Sequence, residues 1–200
     1  MFHTHTSTTM LTLRHFAHEH DDLPAFHAGY LVLTIVVAAI LNLGAFAMLI
    51  VAHIGLDMVK YRDVHHLSWG RTIEGSLRES LIDVFLLTMA LTFSVYLHHT
   101  IGLIAMSGVV RADLSLARLF GVFLPKFEIL HRFLEMLMHI GEHMRTLHAR
   151  LGKTLAAGER LTLFLLVATL IMLLSAPVIL GIPTSVFAQT VSHEMIPWNL

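Results

Sequence analysis

The sequence predicts an all-α integral membrane protein with three or four transmembrane helices plus a long amphipathic helix. Three observations predict it. Hydrophobic residues make up 56% of the chain and charged residues only 14%, whereas a soluble domain runs about 45–50% apolar and about 25% charged. Mean hydropathy is +0.72. The apolar residues also gather into uncharged runs long enough to cross a hydrocarbon core. At 200 residues, the length suits one membrane domain, 1–200.

Lys plus Arg total 13 and Asp plus Glu 14, for a net charge of −1, so there is no basic footprint for nucleic acid. The absence of cysteine excludes disulfides, thiolate zinc sites and cysteine-ligated iron–sulfur clusters. Histidine is the outlier, at 16 residues.

Residues 1–27 form a polar, His-rich segment without the apolar core of a signal peptide. Within it, His15 to Asp22 is a His/acid tract of a kind that binds metal by composition. Pro24 suits a helix start. Residues 29–56 carry no charge, with Thr34, Asn42 and His53 as polar exceptions, and read as the first span. The charged connector 57–80 should extend the flanking helices at its ends and turn at His65-His66 and Trp69-Gly70. Residues 81–110 form the second span, with Asp83 as its only carboxylate. Residues 161–182 form the third, closed by Pro177, Gly181 and Pro183.

Between these spans, 57–80 holds four Lys or Arg and 111–160 holds eight. Such residues favour the cytoplasmic side. Both basic segments lie inside, with both termini on the opposite side, only if the chain crosses four times. A break near His98-His99-Thr100 would allow an extra crossing at 101–124. That helix would carry Arg111, Asp113 and Arg118, each costing roughly 2.5–3.5 kcal/mol unless paired or turned inward.

Residues 126–151 read as one amphipathic helix. His131, Glu135, His139, Glu142 and His143 fall on a polar stripe, with Phe133, Leu137, Ile140, Met144 and Leu147 opposite. The ordinary reading is an interfacial helix with a solvated charged face and these apolar anchors buried in the bundle or headgroups.

Histidine and carboxylate side chains one helical turn apart can hold one ion. The first candidate site is His53 and Asp57, completed by His65, His66 or Asp83 if the first two spans form a hairpin; Glu79 falls at the same end. Such nitrogen/oxygen donors suit zinc, iron, manganese or nickel. The stripe His131, Glu135, His139, Glu142, His143 is the second candidate; within it, His139-Ile-Gly-Glu-His143 matches H-x-x-E-H. Heme b, with axial histidines from facing helices, is a further use, for which His53 with His139 or His143 is the best-matched pair.

No phosphate loop, nucleophile elbow or dinucleotide fingerprint is present, so no motif fixes a reaction. The expected function is binding of a divalent transition metal, as a metal-handling or membrane-complex component. The alternatives are an accessory subunit of a larger membrane complex and a b-type cytochrome subunit. Expected partners are the lipid bilayer and either further copies of the chain or other membrane subunits.

Overall fold

The computed structural model describes residues 24–104, 116–147 and 151–197. The His-rich tract and Arg111 and Asp113 lie outside them. The described residues are helical, without a strand: α1 (Pro24–Ile40), α2 (Leu43–Val59) running into a π-helical turn (Lys60–Val64), α3 (Trp69–Glu79), α4 (Leu81–Ile104), a second π turn (Leu119–Phe123), α5 (Leu124–Met138), α6 (Ile140–Arg145), α7 (Ala157–Leu180) and α8 (Thr184–Met195). The chain divides into two units, Met1–Val37 and Ala38–Leu200, and the second holds everything that follows.

Among the described residues, three helical segments are long and apolar enough to cross a membrane: Leu43–Val64, Leu81–His99 and Ala157–Leu180. The expected first span, 29–56, is not one helix. The helix stops at Ile40 and restarts at Leu43. Asn42 is the reason: its side-chain oxygen accepts from the Ala45 backbone N–H at 3.2 Å, capping α2, while its amide donates to the Ile196 carbonyl. The connector turns at residues 65–68, with His66 at φ 53°, and Trp69 opens α3 instead of sitting in the turn. The expected break at His98-His99-Thr100 is absent, since α4 continues to Ile104. The extra crossing 101–124 therefore lacks its proposed start, and its middle, residues 105–115, lies outside those described. The third span is found as expected, with Gly181 in the left-handed region at φ 64° closing it as a C-terminal cap does.

Side-chain bonds set the helix directions. Asn42 and His53 are eleven residues apart, as are Asp83 and Ser94. His53 meets Asp83, while Asn42 bonds Ile196 and Ser94 bonds Glu194, both beyond α7. α2 and α4 are therefore antiparallel. Thr92 reaches the Thr169 carbonyl and Tyr96 the Met172 carbonyl, so α4 and α7 are parallel. Between two parallel helices the chain must return. α5 makes that return: Lys126 lies over the Phe46 ring, Arg132 meets Asp83 and His143 meets Asp57.

The bundle thus has two ends. At one, the connector meets α6 and the segment after it: His65 bonds the Met144 carbonyl, Gly152 N–H donates to Glu74, and Arg78 donates to the Lys153 carbonyl. At the other, α8 folds back. Phe187, Val191 and Met195 cover a core of Leu43, Ala90, Leu91, Val95, Leu173 and Ala176. Gly44 lets α2 approach α8 this closely, because a Cβ there would strike the Met195 carbonyl.

The amphipathic segment differs from expectation in two ways. It is not one helix over 126–151: it breaks at His139 (φ −107°, ψ 30°), and helix ends at Arg145. Gly141, a weak helix former, follows the break. Its apolar face is also divided between inside and outside. The polar stripe lines a cleft of about 880 Å³, while Leu137, Ile140 and Leu147 are exposed and Phe133 and Met144 only half-buried. The residues α5 turns inward are Lys126, Ile129, Leu130 and Met136.

Candidate metal centre

At the connector end, α2 places His53 and Asp57 on one face, one turn apart. Asp57 is fully buried and His53 nearly so. α6 brings His143 against them. His143 Nε2 lies 2.9 Å from Asp57 Oδ1, and His53 Nε2 lies 3.6 Å from Asp57 Oδ2. One ligand atom from each residue falls within 4.8 Å of the others. Around a tetrahedral ion with bonds of about 2.05 Å, neighbouring donors stand about 3.3 Å apart; the 2.9 and 3.6 Å contacts run to different Asp57 oxygens, so modest side-chain adjustment would complete such a set. This buried His53/Asp57/His143 group could hold a metal ion.

Two further features fit such a centre. Asp57 Oδ2 is buried without a hydrogen-bond partner among the described residues, a costly condition for a carboxylate oxygen. His53 Nδ1 lies 3.1 Å from Asp83 Oδ2, so an Nδ1–H donated there leaves the Nε2 lone pair facing Asp57 and His143. A carboxylate that fixes the tautomer in this way is the usual outer partner of a metal-bound imidazole. Arg132 Nε stands 2.9 Å from Asp83 Oδ1. The angle there falls short of a hydrogen bond, but the charges attract.

Glu79 lines the cleft beside His53 and neighbours Asp57. Lys60 donates to both Glu79 oxygens at 3.0 Å, and the Tyr61 hydroxyl donates to one. Burial pushes the Glu79 carboxyl up, but these hydrogen bonds outweigh it and hold Glu79 below the usual carboxylate range. Lys60 and Tyr61 are fully buried. Gly75 permits this, since a Cβ there would strike the Tyr61 ring.

Of the first candidate set, the fold brings His53, Asp57 and Asp83 together, with Asp83 behind His53. His65 is at the same end but bonds the Met144 carbonyl, and His66 is exposed. Of the second set, His143 alone joins the cluster. His131, Glu135, His139 and Glu142 line the cleft leading to it. The helix break at His139 removes the one-turn geometry that H-x-x-E-H requires; His139 Nδ1 lies 3.2 Å from the Glu135 carbonyl instead. The two candidate sites thus share one place, because α5 and α6 pack on the α2–α4 hairpin. Sequence reasoning also missed Arg132 opposite Asp83 and Lys60 opposite Glu79. Their signal was present as single charges of opposite sign near apolar runs, which seek each other.

No protein-family model, characterised protein or solved structure matches this chain.

Proposed function

We propose that the chain is a membrane protein that binds a divalent transition metal through His53, Asp57 and His143. The observation that carries this reading is the convergence of three donors from two helices around a buried carboxylate oxygen with no hydrogen bond among the described residues. Two imidazoles and one carboxylate suit zinc, iron, manganese or nickel. Three protein ligands leave a coordination position towards the cleft, where an exchanging ion, water or substrate group would enter. The cleft is lined by Glu79, Glu128, Glu135 and Glu142 against Arg132, a balance that attracts cations. Heme is a poorer fit: the Asp57 carboxylate stands between the two imidazoles, where a porphyrin would have to lie.

The topology that goes with this reading has four passes: α2, α4, α5–α6 and α7. The amphipathic helix takes the role that 101–124 was expected to fill. Its exposed apolar residues face lipid and its polar stripe faces the cleft, which is how polar groups are tolerated at membrane depth. The connector 57–80 and the Lys and Arg around and after the end of α6, Arg145, Lys153 and Arg160, then share one end, which is cytoplasmic by that content, whereas Arg118 and Lys126 stand at the other. The metal centre lies towards that end.

Metal analysis of the detergent-purified protein, followed by zinc titration, tests the site. One high-affinity equivalent is expected in the wild type and none in His53→Ala or His143→Ala. His139→Ala should retain it. Asp83→Asn should weaken binding by roughly 10–100-fold, as loss of an outer partner does. Full occupancy in both alanine variants at His53 and His143 rejects the site. No stoichiometric metal in the wild type favours an accessory subunit instead.

A further inference from the structure

At the opposite end of the bundle a second cavity, of about 540 Å³, opens between α4, α5 and α8. Its size is that of a small-ligand pocket. Lys126 lines it and is 9% exposed. A buried ammonium ordinarily has a hydrogen-bonded partner. Lys126 makes no hydrogen bond and no ion pair among the described residues. Its nearest compensation is the Phe46 ring, 5.6 Å from Nζ to the centroid. Glu194 attracts it electrostatically without reaching ion-pair distance, and one Glu194 oxygen already accepts the Ser94 hydroxyl at 2.7 Å.

Arg118 lines the same cavity and likewise forms no ion pair among the described residues. Among the described residues that line the cavity, two cations therefore stand with one carboxylate, an excess of one positive charge. The remaining wall is largely apolar, formed by Leu97, Leu119, Val122 and Phe123. It continues outward over exposed Leu119 and Phe120. The level of Ser94 is eleven residues from that of Asp83 along α4, about 16 Å at helical rise, so this pocket is separate from the metal centre.

We infer that this cavity binds the phosphate group of an anionic phospholipid, held between Lys126 and Arg118, with its acyl chains along the Leu119–Phe123 surface. Phosphate is the anion that two converging cations serve best: Lys supplies a compact charge, the Arg fork binds oxygens in pairs, and a phosphodiester offers acceptors to both. The apolar wall is what a free phosphate ion would leave uncovered. Glu194 stands beside the site as the acceptor for a polar headgroup substituent.

Thermal unfolding of the detergent-purified chain, measured with phosphatidylglycerol, phosphatidylcholine or inorganic phosphate added, tests this, with native mass spectrometry counting retained lipid. Phosphatidylglycerol should raise the midpoint and remain bound, while the other two should do neither. Lys126→Met and Arg118→Gln should each weaken phosphatidylglycerol binding about tenfold or more, the loss of one charge-assisted contact. Arg118 is exposed, so its replacement leaves the fold intact, and an unchanged zinc stoichiometry confirms that for both variants. Equal stabilisation by phosphatidylglycerol and phosphatidylcholine overturns the inference, as does unchanged binding in both variants. A response to inorganic phosphate matching that to phosphatidylglycerol assigns the pocket to a soluble phosphate and overturns the lipid.

Discussion

α7 and α5 both pack against α4, yet they are built on opposite rules. α7 has no charged residue from Leu161 to Leu180. It buries only Leu173 and Ala176 and leaves Ile171, Leu174 and Val178 exposed. α5 carries Lys126, Glu128, Arg132 and Glu135. It turns Glu128, Arg132 and Glu135 to the cleft, sets Lys126 on the cavity at the other end, and sends Leu137 to the outside. The outer surfaces are therefore alike where the sequences are not. A helix facing lipid needs an apolar outside, and what it carries inside is constrained only by partners. α7 packs small and apolar groups inward, whereas α5 brings charges that complement those on α2 and α4.

The largest expected effect comes from breaking the rule on α7. The double change Ile171→Arg and Leu174→Arg places two charges on one exposed face, one turn apart. Each costs roughly 2.5–3.5 kcal/mol at helix-centre depth. The protein should fail to insert or accumulate, as read by membrane fractionation and yield. Normal insertion would mean that this face of α7 meets a polar surface. A charge of the same kind on α5 behaves in the reverse sense, because there it is the partner. Arg132→Leu makes the helix more apolar yet leaves Asp83, which is 2% exposed, without its cation. We expect a loss of about 2–3 kcal/mol, below the value for a fully buried pair because Arg132 is 31% exposed. Chemical unfolding in detergent measures it. An unchanged or raised stability would show that Asp83 is satisfied by His53 alone. The smallest effect belongs to α6. Ile140 is 38% exposed, so Ile140→Asp should cost about 1–2 kcal/mol if that face meets headgroups and almost nothing if it meets water. The same unfolding assay, run in micelles and in nanodiscs, sharpens the assignment of α5–α6 as a pass.

The two helices also differ in how far they could be read from sequence. Residues 161–182 have one periodicity-free solution, a helix in an apolar medium, and α7 is that helix. The stripe on 126–151 has two solutions, polar face to water or polar face to protein, and hydrophobic period alone is identical for both. The same ambiguity split the site. His53 and Asp57 share a face by helical spacing, which is local and legible. His143 lies 86 residues from Asp57, and its arrival there needs the return of α5 along the hairpin and the break at His139. The equal eleven-residue spacings on α2 and α4 were legible as pattern. Their meaning as two levels of an antiparallel pair, one at His53/Asp83 and one joined to α8, came only with the fold.

Sequence by itself determined that the chain is helical with segments long and apolar enough to cross a membrane, where the second and third of them lie, and that His53 and Asp57 stand together near the end that carries the basic connector. These follow from composition and from the fixed rise and turn of the helix, which need no neighbours to act. Only the tertiary structure decided which way the amphipathic helix faces, that Asn42 interrupts the first apolar run, and that His143 joins the pair. It also decided that Lys126 is buried at the far end. The first three depend on where an opposite charge or a carbonyl stands on another helix. An electrostatic partner is chosen by distance in space, and distance in space is what the order of residues leaves open.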